Sequence, residues 1–169
     1  TLKLSRGLTG TWSAVGEAAS DTLGISVASA GDVNGDGYDD VIVGAQQNDG
    51  GGSNAGEAYV YYGSASGLSA TPDWSDQGEA TGDFFGTKVA SAGDVNGDGY
   101  ADVIVGAYGN DDGGSFAGKA YVYHGSAIGL PTTPDWSVQG EAANDYFGLS
   151  AGSAGDVNGD GYVDIIVGS

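Results

Sequence analysis

Three segments of the chain carry carboxylate and amide side chains at alternate positions, a spacing suited to holding a cation. Each segment reads Asp-Val-Asn-Gly-Asp-Gly-Tyr-x-Asp, with side-chain oxygens at positions 1, 3, 5 and 9. The Tyr at position 7 offers a backbone carbonyl, and the Gly at position 6 permits a sharp bend. The predicted ligands are Asp32, Asn34, Asp36, Tyr38 and Asp40 in the first copy, Asp94, Asn96, Asp98, Tyr100 and Asp102 in the second, and Asp156, Asn158, Asp160, Tyr162 and Asp164 in the third.

The donor atoms of these segments indicate calcium. Ca²⁺ accepts many oxygens in a flexible geometry, whereas Mg²⁺ requires a tight octahedron. Zn²⁺ prefers His or Cys, and the segments contain neither residue. Without a cation the carboxylates of one segment repel, at about 4 kcal/mol for two unit charges 4 Å apart near a protein surface. The sequence therefore predicts about three Ca²⁺ ions per chain, one for each of the three segments, acting as structural staples.

Two other interpretations of the segments stay open. An EF-hand or dockerin-type loop begins in the same way but needs a Glu at position 12, where this chain has Val43, Val105 and Val167. Asp, Asn and Gly also form ordinary turns that bind no metal. Three copies with the same five liganding positions favour the metal site.

The three segments belong to a longer internal repeat. Each begins 62 residues after the previous one, and Trp12, Trp74 and Trp136 keep the same period. Within the middle copy, four short strand-like runs lie at about 86–92, 102–107, 119–124 and 135–139. Four strands in such a period are typical of a propeller blade with generous loops. The expected fold is all-β, made of β-propeller blades of four antiparallel strands.

The phase of the repeat divides the chain into complete and partial blades. Complete blades are expected at about 24–85 and 86–147, and half-blades at 1–23 and 148–169. Residues 1–8 and the segment around Trp12 correspond to third and fourth strands, and the C-terminal half to a first and second. Three blade-equivalents are too few for a ring, so pairing of the halves between chains is expected to close one. A homodimer of six blades is favoured over a trimer of nine.

The composition excludes several classes of partner. With a net charge of −19, and 23 Asp and Glu residues against 4 Lys and Arg residues, the chain is unsuited to nucleic acid or to an anionic membrane surface. It has no Cys for a disulfide or a thiol nucleophile. No run approaches the roughly 18 apolar residues of a transmembrane helix.

Nothing in the chain indicates catalysis. His124 has no aligned nucleophile and is expected to be a packed or surface histidine. Acid pairs such as Glu79 with Asp83, or Asp111 with Asp112, imitate a glycosidase dyad but are expected to be solvated loop charge. The three Trp are expected in the core, one per blade, and the alternating Tyr of the third strands between blades.

The repeat resembles the FG-GAP repeat of integrin α-subunit propellers and their bacterial relatives. Phe85-Gly86, Val89-Ala90, the acidic segment from Gly93 and Gly106-Ala107 carry the resemblance in the middle copy. The third copy has Phe147-Gly148, and the first has Leu23-Gly24 instead.

The resemblance implies a calcium loop between the first and second strand of each blade. It also implies an extracellular or cell-surface protein that serves as an adhesion or ligand-binding platform and is not an enzyme. The near-identical copies and the absence of Cys indicate a bacterial, secreted, recently amplified or engineered repeat. Its external partner would be a protein or a glycan. Two alternatives are a carbohydrate-binding, lectin-like propeller and a non-catalytic propeller portion of a larger secreted enzyme.

Overall fold

The protein is built from short β-strands. The computed structural model describes residues 1–6 and 10–169, and in that part of the chain it contains no helix, so none that could cross a membrane. The strands are β1 Leu2–Arg6, β2 Gly10–Ala14, β3 Ser26–Gly31, β4 Asp40–Ala45, β5 Glu57–Tyr61, β6 Trp74–Gln77, β7 Phe85–Gly93, β8 Asp102–Ala107, β9 Lys119–Tyr123, β10 Trp136–Gln139, β11 Ser150–Gly155 and β12 Asp164–Gly168. The last two residues of the predicted strand 1–8 lie outside the described residues.

The strands form four antiparallel sheets. β3-β4-β5-β6 and β7-β8-β9-β10 are four-stranded and are called here the first and second complete blades. β1-β2 is the N-terminal half-blade, and β11-β12 is the C-terminal half-blade. The predicted all-β fold with four-stranded antiparallel blades is confirmed, and the four strands predicted for the middle repeat are found as β7 to β10.

The second strand of each complete blade is buried on both faces. β4 and β8 share the sequence Asp-Val-Ile-Val-Gly-Ala, and almost every residue in them is buried. A continuous apolar run rich in β-branched residues is typical of a strand covered on both sides. The glycine in the run allows a close approach, because a Cβ on Gly44 or Gly106 would collide with the carbonyl oxygen of Gly86 or Gly148 in the next sheet. Neighbouring sheets therefore touch backbone to backbone at this point.

Three apolar clusters lie between successive sheets. The cluster between the two complete blades includes Ile42 and Val60 on one side and Val89 and Val103 on the other. Two smaller clusters join the N-terminal half-blade to the first complete blade and the second complete blade to the C-terminal half-blade. Burial of these faces holds the stack together.

The tryptophans show which blade faces are covered. The ring of Trp12 meets Tyr61 of the following blade edge-on, with centroids 4.8 Å apart, and Trp74 meets Tyr123 at 4.9 Å. The expected packing of third-strand tyrosines between blades is confirmed by these contacts. The expectation of a core position for all three tryptophans is wrong for Trp136, which is 43% exposed. Among the described residues, β11 and β12 are the only strands that follow Trp136, and no third strand of their sheet covers its ring.

Candidate metal-binding loops

The three acidic loops, residues 32–40, 94–102 and 156–164, connect the first and second strands of successive sheets. In the first loop, one carboxylate oxygen of Asp32 accepts hydrogen bonds from the amides of Gly35 and Asp36, at 2.7 and 3.1 Å. Its other oxygen accepts a hydrogen bond from Gly37 N at 2.8 Å. Gly35 and Gly37 have positive φ angles of 74° and 88°, a backbone conformation that glycine adopts without strain. The first Asp therefore holds the loop closed through its own backbone.

The side chains at positions 3 and 5 also turn toward the interior of the loop. The Oδ1 atom of Asn34 accepts a hydrogen bond from Asp36 N at 2.9 Å, and its Nδ2 donates to Asp36 Oδ2 at 3.2 Å. Asp36 Oδ1 accepts a hydrogen bond from Tyr38 N at 2.9 Å. Corresponding bonds to the first Asp occur in the other two loops. All three loops thus share one local conformation, in which predicted ligands at positions 1, 3 and 5 gather.

The Asp at position 9 lies at the base of the loop. Asp40 is buried, and its carboxylate accepts hydrogen bonds from Val33 N at 2.9 Å and Gly63 N at 2.8 Å. Asp102 is equally buried and accepts from Val95 N and Gly125 N. Burial raises the pKa of Asp40 and of Asp102 above the usual range, although the backbone hydrogen bonds oppose the shift.

The third loop differs at position 9. Asp164 is only half-buried and accepts a hydrogen bond from Val157 N at 2.9 Å. In the complete blades a second amide, that of Gly63 or Gly125, follows the third strand and donates to this Asp. Among the described residues Asp164 has no such second donor, because its sheet consists of β11 and β12. At position 1 of the same loop, the hydrogen bond from Gly161 N, aided by other loop amides, lowers the pKa of Asp156 and keeps that carboxylate ionised.

Neighbouring acidic loops are in direct contact. A Cβ on Gly35 would collide with the ring of Tyr100, and a Cβ on Gly97 with the ring of Tyr162. The backbone continues the contact, since Ala101 N donates to the carbonyl oxygen of Asp32 at 3.0 Å. The Tyr of the second loop and the Tyr of the third loop therefore each pack on the loop before them.

The donor chemistry of the loops fits a hard cation. Every predicted ligand atom is an oxygen, and the Asp at positions 1, 5 and 9 supply carboxylates. Among the described residues, however, no group of three or more His, Cys, Asp and Glu side chains lies in an arrangement that could hold a metal ion. The side-chain oxygens instead accept backbone amides, and the five predicted ligands of each loop stay a prediction.

An ion-pair cluster lies at the opposite end of the second complete blade. Lys119 Nζ contacts Glu79 Oε2 at 2.9 Å and Asp112 Oδ2 at 2.8 Å, and lies 5.1 Å from the ring centre of Tyr121. Burial lowers the pKa of Lys119, but the hydrogen bonds to Asp112 and Glu79 outweigh it and the pKa is raised. The expectation that Glu79 and Asp112 are merely solvated is wrong. Glu79 is 40 residues from Lys119, so only the tertiary structure reveals the pair.

The remaining acids and His124 also have defined neighbours. Asp83 is buried and accepts a hydrogen bond from Ala80 N at 3.0 Å, so it too is not solvated loop charge. Asp111, which is exposed, accepts one from Phe116 N. His124 is half-buried, with its Nδ1 3.9 Å from Asp135 Oδ2. In the hydrogen bonds of the described residues, no nucleophile accompanies His124.

Four aromatic side chains form a cluster on the face opposite the acidic loops. The rings of Phe84 and Tyr108 stack with centroids 5.0 Å apart, and Tyr146 lies 6.2 Å from Tyr108 and 5.9 Å from Phe116. Phe116 and Tyr146 are exposed. Phe84, Phe116 and Tyr146 each have a φ of 54°, a conformation uncommon for non-glycine residues. Sequence reasoning did not single out this aromatic cluster, whose members come from separate loops.

Comparison with known proteins identifies the repeat. Residues 23–61, 85–123 and 147–169 match the FG-GAP repeat. The chain is 37% identical over 156 residues to integrin alpha-6 of Gallus gallus, and 36% identical over 160 residues to integrin alpha-6 of Homo sapiens. It is 33% identical over 164 residues to integrin alpha-5 of Xenopus laevis. Each alignment covers 91% of this chain but only 13–15% of the relative.

Proposed function

Because this chain belongs to the FG-GAP repeat family, we propose that it is a calcium-binding β-propeller module that acts as a structural and adhesive interaction scaffold, not as an enzyme. The observation that carries the proposal is the common conformation of the three acidic loops, each presenting oxygen donors from alternate residues. The same residues would serve as ligands in every blade.

Within each loop, the side chains at positions 1, 3 and 5 and the carbonyl at position 7 would hold Ca²⁺, with the Asp at position 9 completing the set. When bound, the ion supplies positive charge that offsets the repulsion among the carboxylates. The hydrogen bonds of the first Asp pre-form the bend, so less backbone order has to be gained on binding. An affinity of about 10⁻⁴ to 10⁻³ M, common among extracellular modules, would suit an extracellular or cell-surface location.

Calorimetry tests this function directly. Titration of CaCl₂ into the metal-free protein is expected to give about three sites per chain, one for each acidic loop. The melting temperature is expected to rise with calcium and to fall again with chelator, because a ligand that binds only the folded state stabilises it. Absence of binding heat together with an unchanged melt in chelator would reject the proposal.

The aromatic cluster supports a second candidate, a lectin-like carbohydrate-binding propeller. Flat sugar faces pack on exposed aromatic rings, and Phe116 and Tyr146 expose theirs beside each other. A glycan array probed with the native protein and with a Phe116→Ala/Tyr146→Ala variant separates the candidates. A glycan that binds the native protein but not the variant would favour the lectin-like function. If the native protein binds no glycan, the result would favour the interaction scaffold.

A further inference from the structure

We propose that β11–β12 of one copy of this chain completes the N-terminal half-blade of a second copy, with Ile166 as the anchor of the contact. The inference does not depend on calcium binding. It starts from an apolar groove of about 370 Å³ between the N-terminal half-blade and the first complete blade. The apolar side chains lining the groove are those of Leu2, Trp12, Val27, Ala28, Val41 and Leu68.

The groove lies where the N-terminal half-blade lacks a first and a second strand. Between the two complete blades, the equivalent space is filled by side chains from the first and second strands of the preceding blade. Val27 and Val41 stand one repeat before Val89 and Val103, which are fully buried in one cluster with Ile42. Val27, by contrast, is 50% exposed. What the groove lacks is therefore an isoleucine equivalent to Ile42, carried on a second strand.

Ile166 is the residue that fits this place. It stands in β12 one repeat after Ile104, which like Ile42 is fully buried, yet Ile166 is 63% exposed. Val157 in the third acidic loop is 71% exposed, whereas its equivalent Val33 is fully buried. The C-terminal half-blade thus exposes the apolar face that the groove of a second copy would cover.

Strand register supports the same pairing. In the complete blades the second and third strands pair, with Ile42 opposite Val60 and Ile104 opposite Val122. Within the described residues β12 pairs only with β11, and β1 only with β2. Leu4 lies opposite Trp12 just as Val60 lies opposite Trp74, so the register places Ile166 opposite Leu4 of the second copy. The pairing would satisfy backbone groups on both exposed edges.

The packing between acidic loops supports the same contact between two copies. Tyr100 and Tyr162 each cover a glycine of the preceding loop, but a Cβ on Gly159 would meet no atom within 4 Å. Tyr38, the first of the three equivalent tyrosines, is exposed. Tyr38 of the second copy would therefore seat on Gly159, continuing the contact between loops across the junction. Two copies joined twice in this way make six blades, within the usual range for propellers.

Multi-angle light scattering of the 169-residue chain provides the first test. The expected mass is twice 16.6 kDa. Ile166→Asp would bury a charge in the apolar groove, so the dissociation constant of the dimer is expected to rise by about 100-fold or more. The matched control Ile128→Asp replaces an isoleucine that is 95% exposed and should remain a dimer. A native chain that is monomeric and well folded overturns the proposal.

Cross-linking tests the register independently of folding defects. The chain has no cysteine, so Lys3→Cys and Val167→Cys chains can each carry one thiol and be mixed. The register places these positions opposite each other between copies, and a disulfide joining the two different chains is expected with or without calcium. A mixture of Lys3→Cys and Ile128→Cys chains should form none. Equal cross-linking in both mixtures, or none in either, overturns the proposal.

Discussion

At the level of single residues, the Asp at position 5 of each acidic loop separates the proposed metal role from a role in turn formation. Asp98 accepts a hydrogen bond from Tyr100 N through one carboxylate oxygen and one from the Asn96 amide through the other. An Asn side chain keeps the first bond through its Oδ1 and loses only the second, exposed one, because its Nδ2 can only donate. Its negative charge stabilises the folded loop only if a cation binds, because without one it repels the other carboxylates of the loop. Asp98→Asn is therefore a cleaner variant than a truncation to Ala.

We predict that Asp98→Asn melts close to the native protein in chelator but several degrees lower in calcium. Loss of one site occupied at ten times its dissociation constant removes about 1.4 kcal/mol, or about 3–6 °C for a domain of this size. Glu141→Gln, an exposed acid outside the loops, serves as the control. Asp112 would be a poor control because it pairs with Lys119. An equal melting difference in both buffers would contradict the ligand assignment.

The second residue-scale prediction concerns Lys119. Its side chain is largely buried, while Glu79 and Asp112 are about half-exposed. Lys119→Met leaves these two carboxylates without their cation and is expected to lower the free energy of unfolding by about 1–2 kcal/mol, measured by urea denaturation. A double-mutant cycle with Asp112→Asn should show coupling of about 0.5–1 kcal/mol. Additive effects would contradict the ion pair.

The pH dependence of this contribution follows from the raised pKa of Lys119. An unperturbed lysine has a pKa of 10.5. A lysine whose pKa is raised on folding stabilises the folded state fully below its unfolded-state pKa, and the contribution is lost as the pH rises through its folded-state pKa. The stability difference between native and Lys119→Met proteins is therefore expected to stay constant from pH 7 to 9 and to shrink above about pH 10.5. A difference that disappears below pH 9 would contradict this.

At the level of strands, the backbone contact between sheets predicts a strong glycine requirement. Gly106→Ala would force a Cβ into the carbonyl oxygen of Gly148, so the sheets must separate. We expect a loss of about 3 kcal/mol or more in unfolding free energy. Gly152→Ala is the matched control, since its Cβ would meet nothing within 4 Å and the equivalent residues are Ala28 and Ala90. Similar denaturation midpoints for the two variants would contradict the contact.

The strands and the acidic loops were predictable because their signals are local. β8 is a run of β-branched residues bounded by turns, and the acidic loop before it is defined by the spacing of residues 94–102. The Lys119 ion pairs and the exposure of Trp136 were not predictable in the same way. Both depend on which distant segment lies alongside, and the exposure of Trp136 reflects a sheet of only two strands.

At the level of the whole molecule, the half-blades differ from the complete blades in the pairing of their second and third strands. In the described residues β12 and β1 are each paired on one side only, whereas the equivalent second and third strands of the complete blades are paired on both sides. Hydrogen exchange measures whether these strand edges are paired, because amides that are hydrogen-bonded between strands exchange slowly. If the copies pair as proposed, β1 and β12 should be protected in the native protein and should exchange faster in Ile166→Asp, whereas β4 and β8 stay protected in both. Fast exchange of β12 in the native protein would contradict interchain pairing.

The backbone contact at Gly44 and Gly106 also bears on how such a chain can evolve. The contact uses a glycine Cα and a carbonyl oxygen, so the distance between sheets there does not depend on the identity of any larger side chain. Each 62-residue unit therefore contains the glycine contact that positions it against the next sheet, and a gene duplication copies that contact together with the unit. The copy is accommodated without compensating substitutions, and its exposed loops are then free to diverge under selection for new partners.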